Sequence, residues 1–167
     1  MPAYPAYADL PRPDPSGLPL AWGVWGAQDQ LGTLNHLTDA TVRAAAAEIR
    51  RGRRFNLDLP LHVPYELCNP GGHRWRREPE HTILTIQATG GLPGRDDKLD
   101  SFFLQGSSQW DGLTHIGDPQ RGFYNGVPPE QITGRAGTRN GIENMAEVCI
   151  VGRAVLADLP RYFASSG

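Results

Sequence analysis

Cysteine is scarce in this chain of 167 residues: Cys68 and Cys149 are the only two. Neither belongs to a Cys-x-x-Cys pair, which argues against a thiolate-held structural zinc. Long apolar runs are missing too. No stretch of about 18 apolar residues occurs, so no transmembrane helix is expected. The opening MPAYPAYADLPRPDP has neither the basic nor the apolar region of a signal peptide. No secretory signal is therefore expected, and a reducing, cytoplasmic location is the default. Charge of one sign is also lacking. Lys and Arg number 16 against 18 Asp and Glu, a net charge of -2. Nucleic acid and anionic membrane thus have no electrostatic case as partners.

Glycine and proline, by contrast, are plentiful at 20 and 15 residues. About a fifth of the chain is then turn-forming, below the share of a low-complexity sequence. Apolar residues make up 39% and charged residues 20%. This is the composition of one soluble domain, long enough to bury roughly 70% of its unfolded surface.

Six of the prolines lie in residues 1–20. Fixed φ and missing N–H donors make this stretch an extended arm, with residues 21–167 as the body. Trp22 and Trp25 follow among glycines and are expected to anchor turns by burial. Thr38 reads as the N-cap of a helix DATVRAAAAEIRR, with Leu37 and Val42 as a hydrophobic staple. Asp39 in its first turn, Arg50 and Arg51 in its last, and Gly52 beyond match the macrodipole and a C-terminal stop. Val42, Ala45, Ala46 and Ile49 would form its apolar face.

Period-two alternation then takes over in RFNLDLPLHV, a strand with Pro60 as an edge or bulge. CNPGGHRWRREPE reads as a loop, HTILTIQA as a strand and GGLPGRDDK as a turn. DSFFLQGSSQWDGLTH begins as a further strand. IENMAEV is a short helix, and CIVGRAVLADLP a buried strand. The order predicts a mixed α/β chain.

The stretch Gln105-Gly-Ser-Ser-Gln109-Trp-Asp111-Gly-Leu-Thr-His115 carries the chemistry. Its polar positions 105, 109, 111 and 115 are evenly spaced, so an extended strand would put them on one face. Asp111 can ligate a divalent cation, and His115 can ligate or shuttle a proton. The same two residues serve equally as a turn cap and a surface histidine. Trp110 alternates to the opposite face, as core packing or as a substrate contact. Tyr124 and Asn125, in the loop FYNG, are substrate-contact candidates or turn residues.

This segment resembles the cyclase-like metal-dependent hydrolases, which include bacterial kynurenine formamidase. Their motif is His-x-Gly-Thr-His-x-Asp-x-Pro-x-His. Laid on this chain, Asp111 and His115 match the Asp and the last His, Ser108 stands at the Thr, and Gln105 and Gln109 replace the first two His. A longer branch of the family reads Gln-Trp-Asp-x-x-x-His. Further blocks similar to that branch are GTLNHLT at 32–38, FNLDLPL at 55–61, FYNG at 123–126, GIENMAE at 141–147 and VGRAVLADL at 151–159.

The resemblance implies a swivelling β/β/α fold with a mixed central sheet, and metal-dependent hydrolysis of an amide bond. The implied substrates are aryl formamides of the N-formylkynurenine type, which belong to tryptophan catabolism. It implies Asp111, Gln109 and Gln105 around a divalent metal, Zn or Mn, with His115 as the catalytic proton carrier. Gln is a poorer zinc ligand than His, so hard ions gain ground. Family members continue well past the point where this chain stops. That suggests a truncated member or one half of a split protein. The alternative is a catalytically inactive fragment, or a binding and assembly module of the same fold. The implied partners are a small-molecule substrate and further copies of the chain in a homo-oligomer. The arm and Trp22/Trp25 are candidates for that interface. His36, His62, His73 and His81 fall outside the motif and read as surface or structural, as does Glu143.

Overall fold

The computed structural model describes residues 4–13, 17–63, 76–87 and 89–165. Cys68, His73 and most of the loop expected at 68–80 lie outside the described residues. The chain divides into two compact units: Met1–Arg53 with Gly112–Gly167, and Arg54–Asp111. The Pro-rich stretch belongs with the first unit. Secondary structure is mixed α and β.

In the first unit, α1 spans Asp39–Ala46. Thr38 caps it as the sequence indicates. Its Oγ1 accepts from the Thr41 N–H at 3.3 Å, and its own N–H donates to Thr41 Oγ1 at 2.8 Å. The helix stops six residues short of Gly52, because the chain tightens into i→i−3 bonds. Glu48 N–H reaches Ala45 O at 3.0 Å, and Ile49 N–H reaches Ala46 O at 3.2 Å. Ile49, expected on the buried face, is 75% exposed. Propensity alone does not sustain a last turn that has nothing to pack on.

The helix expected at IENMAEV is present as α2, Ile142–Val148, with Met145 turned inward. Glu143 is exposed on its surface, and its carboxylate folds back over Gly141. The apolar core of this unit is small: Val127 and Met145 are its buried hydrophobic residues among those described. In the same unit the rings of Tyr4, Trp25 and His36 meet tilted or edge to face, with centroids 5.3–5.7 Å apart. The arm and Trp25 thus pack within their own chain, and His36 is a structural residue.

The strand expected at 149–160 is absent. Residues 149–158 form no ladder, and Val155 and Leu156 are exposed. The chain then turns into α3, Leu159–Ala164, where Asp158 accepts from the Arg161 N–H at 3.2 Å. Pro160 sits in the first turn, where its missing N–H costs nothing.

The second unit is built on a hairpin. β1, Glu80–Gln87, pairs antiparallel with β2, Pro93–Asp100, in the register Glu80↔Asp100 to Gln87↔Pro93. β1 is the expected β-branched strand. β2 overturns an expectation, since it takes up most of GGLPGRDDK, residues 90–98, which reads as a turn. Gly90 and Gly91, both at positive φ (82° and 75°), lie in the reversal, and the polar residues after them pair with β1. A preformed strand edge overrides low intrinsic propensity in its partner.

Two further strand expectations fail in this unit. Residues 54–61 are irregular and exposed. Asp58 N–H turns to Asn56 Oδ1 at 2.9 Å, Leu59 N–H goes to Ser108 Oγ at 3.2 Å, and Pro60 has no N–H to give. The segment after β2 coils into a 3₁₀ turn at Leu104–Gly106, and Ser107 Oγ donates to Leu104 O at 2.8 Å. Among the described residues the sheet has only these two strands, so no larger central sheet is seen in them.

The cap on α1 offers a direct check. Thr38→Ala is expected to lower the stability of the chain by about 1 kcal/mol, and Thr38→Asn to restore most of it. Urea titration followed by circular dichroism measures both.

Candidate functional site

The polar residues of 105–115 do not share one strand face. Gln105 is the middle residue of the 3₁₀ turn, half-buried, and its backbone carbonyl accepts from Arg76 Nη1 at 3.2 Å. Gln109 and Asp111 lie in irregular, exposed chain, and Gln109 Nε2 donates to Asp111 Oδ1 at 2.7 Å. Trp110 is 68% exposed, so it is not the core residue that alternation suggests. Gln105, Gln109, Trp110 and Asp111 belong to the second unit, and His115, half-buried, to the first.

Within the second unit the structure brings Gln109 together with Asp111. A carboxylate holding a primary amide can orient water or a polar substrate group. As a metal centre the three implied ligands of the second unit, Gln105, Gln109 and Asp111, are deficient: they offer two neutral amides and a single carboxylate, whereas zinc and manganese sites rest on imidazole, thiolate and several carboxylates. Among the described residues, no three His, Cys, Asp or Glu side chains converge as metal ligands. The residues described do not fit a divalent ion, and no chemical step is routed through one here.

The best-organised polar constellation lies elsewhere, in the first unit, and sequence reasoning missed its centre. Asp29 Oδ2 accepts from Gly32 N–H at 2.7 Å, Leu31 N–H at 3.2 Å and the Tyr124 hydroxyl at 2.9 Å. Asp29 Oδ1 accepts from Asn35 Nδ2 at 2.7 Å. Asn125 Nδ2 donates to the carbonyls of Gly26 (3.1 Å) and Asp29 (3.0 Å), while its Oδ1 accepts from Gly23 N–H at 2.8 Å. Asn140, fully buried, donates its Nδ2 to Tyr124 O at 2.9 Å and its N–H to Gln30 Oε1 at 2.7 Å. Two loops distant in sequence, 23–35 and 123–140, are thereby fastened together.

Burial opposes the charge on Asp29, but its hydrogen bonds from Asn35, Gly32, Tyr124 and Leu31 outweigh that and hold the carboxyl below its ordinary 3.8. Burial and the Asp29 charge both push the Tyr124 hydroxyl far up, so it stays a neutral donor. Tyr124 and Asn125, candidates for substrate contact, spend their polar atoms on this fastening. Two signals pointed here. Asp29 stands three residues before Gly32, the spacing of a side chain that collects backbone donors, and Asn140-Gly141 precedes a helix.

Two clefts complete the picture. One, of about 480 Å³, is lined by Asp118, Arg121, Phe123, Pro128 and Pro129 in the first unit. Arg121 pairs with Asp118 at 3.0 Å across its wall. The other, of about 440 Å³ in the second unit, is lined by Leu61, His62, Glu78, His81, Asp97 and Leu99. There His81 Nε2 lies 3.0 Å from Asp97 Oδ2, exposed on the hairpin.

No protein-family profile matches this chain, and no curated protein matches it. A solved structure does. It is described as a novel cyclase, with 32% sequence identity and a TM-score of 0.71 over 87% of this chain. The chain resembles a cyclase. It spans half the length of that cyclase neighbour. Among the described residues no helix is long and apolar enough to cross a membrane.

Two substitutions test the fastening. Asn125 has φ 59°, in the left-handed region. Asn125→Ala is expected to cost about 1 kcal/mol more than Asn125→Gly, because both lose the side-chain bonds but only alanine strains the backbone. Paired denaturant curves read the difference. For Asp29, a lowered folded-state pKa means its contribution is present above the unfolded value and lost as pH falls through the folded one. Stability measured between about pH 5 and pH 2 should therefore fall more steeply in the wild type than in Asp29→Asn, which is weaker at neutral pH. Equal slopes would show that Asp29 is not held as described.

Proposed function

We propose that this chain is part of a cyclase-like hydrolase that cleaves an amide bond, with aryl formamides of the N-formylkynurenine type as the substrate class. The observation that carries the reading is the 32% identity with the cyclase neighbour along 87% of the chain. It is supported by the pair Gln109–Asp111, which stands at the Gln-Trp-Asp positions of the resembled motif. In this reading water adds across the C–N bond and releases formate and an arylamine. Asp111 and the Gln109 amide it holds orient the water or the substrate carbonyl. His115 moves the proton. Trp110, exposed beside Asp111 in sequence, is a substrate contact. A homo-oligomer remains part of the proposal.

One observation favours a second reading, a non-catalytic module of the same fold. The described donor set carries a single carboxylate and does not make a divalent-ion site. Metal bound to the dialysed chain is accordingly expected well below one ion per chain, with or without Asp111→Ala. A near-stoichiometric ion lost in that variant would overturn the donor-set argument.

The hydrolase reading is tested by formate release from N-formylkynurenine, with and without added Mn²⁺. Release above the buffer rate, lowered about 100-fold by His115→Ala, is the expected result. A chain folded by circular dichroism that releases no formate would leave the module reading in place.

A further inference from the structure

The segment after α2 is built as if something should lie on it. Cys149 ends α2 with φ 59° and turns the chain away. Gly152 is pinned against Leu37: a Cβ there would stand 2.9 Å from Leu37 Cδ2. Arg153 Nε reaches Glu48 Oε1 at 3.4 Å. The backbone is thus placed by the first unit, yet residues 150–156 make no backbone hydrogen bond to any other described residue. Apart from Gly152 and Arg153, their side chains are apolar and exposed. Val155 is 78% and Leu156 86% exposed, and α3 continues the patch with Leu159, Tyr162 and Phe163, the two rings packed edge to face at 5.3 Å. Unpaired N–H and C=O groups beside a contiguous apolar surface are what an added strand recognises.

The cyclase neighbour indicates the occupant. This chain overlays 50% of it, so half of that cyclase has no counterpart in these 167 residues. We infer that residues 150–163 are a docking face for that other half of the cyclase fold. The backbone of 150–156 pairs with one of its strands, and Val155, Leu156, Tyr162 and Phe163 are buried beneath it. The inference rests on the cyclase reading for the identity of the occupant and does not depend on amide hydrolysis.

The test is coexpression of the 167-residue chain with a polypeptide comprising the uncovered half of the cyclase neighbour. Light scattering gives the stoichiometry, and amide hydrogen exchange reads residues 150–156. The expected result is a one-to-one complex in which exchange at 150–156 slows at least about tenfold relative to the chain alone. The double variant Val155→Asp/Leu156→Asp alters only exposed positions, so its circular dichroism should match the wild type. It is expected to weaken the complex about 100-fold, the loss of roughly two buried aliphatic side chains. Self-association of the chain, with the same protection in the absence of the added half, would overturn the inference in favour of a second copy. A chain that ignores the added half and exchanges equally fast at 150–156 would overturn it outright. Formate release is not read here, so failure of the hydrolase reading is seen separately.

Discussion

The carboxylate of Asp29 is the point on which the first unit depends. It gathers two backbone N–H groups, the Asn35 amide and the Tyr124 hydroxyl, and so closes a loop across 95 residues of sequence. Asn125 and Asn140 extend that closure by bonding backbone to backbone through their amides. A unit whose buried apolar residues are Val127 and Met145 has little hydrophobic area to hold two long loops in one arrangement. Charge-assisted hydrogen bonds supply direction where burial supplies little, and each partner removed leaves another partner unsatisfied. That makes the junction specific as well as stabilising. Gly32 belongs to the same design. Its φ of 58° suits glycine, and Leu113 and Tyr124 lie within 4 Å of where a Cβ would be.

What the sequence made legible were features set by neighbours in the chain. The Thr38 cap, the β-branched run of β1 and the seven-residue helix of IENMAEV follow from local spacing, and the structure has all three. Features set by distant partners were not legible. PGRDDKLD has no strand signature of its own; it becomes β2 because Gly90 and Gly91 fold it onto β1. The opposite error occurred at RFNLDLPLHV and CIVGRAVLADLP. Both alternate or run apolar as strands do, yet neither joins a ladder among the described residues, and a strand without a ladder is not a strand. Asp29 was passed over for the same reason. Its local spacing promised a turn, but its importance comes from Tyr124, far along the chain.

The candidate site shows the limit of spacing in another way. Even intervals from Gln105 to His115 place side chains on one face only if the backbone is extended throughout. The 3₁₀ turn at Leu104–Gly106 and the irregular chain that follows break that condition, and Trp110 is exposed where alternation would bury it. What survives is the Gln109–Asp111 contact, a two-residue relation that needs no long-range regularity.

That contact also bears on how far this chain can act alone. A carboxylate shared with an amide is fixed in direction, but it brings at most one charge to any ion or polar group beside it. Electrostatic catalysis gains from donors and charges fixed in a water-poor enclosure. Gln109, Trp110 and Asp111 are all exposed, so the medium around them is water and each interaction there is weakened. The exposed Val155, Leu156, Leu159, Tyr162 and Phe163 describe the same condition for packing that Asp111 describes for chemistry. Each is a surface whose value rises when a second body of polypeptide excludes water from it. The 50% coverage of the cyclase neighbour gives that body a size. Burial of Val155 and Leu156 would stabilise the association. Drying of a polar pair such as Gln109 and Asp111 would follow only if the same partner reached it, which makes assembly and chemical competence two separable properties of one fold.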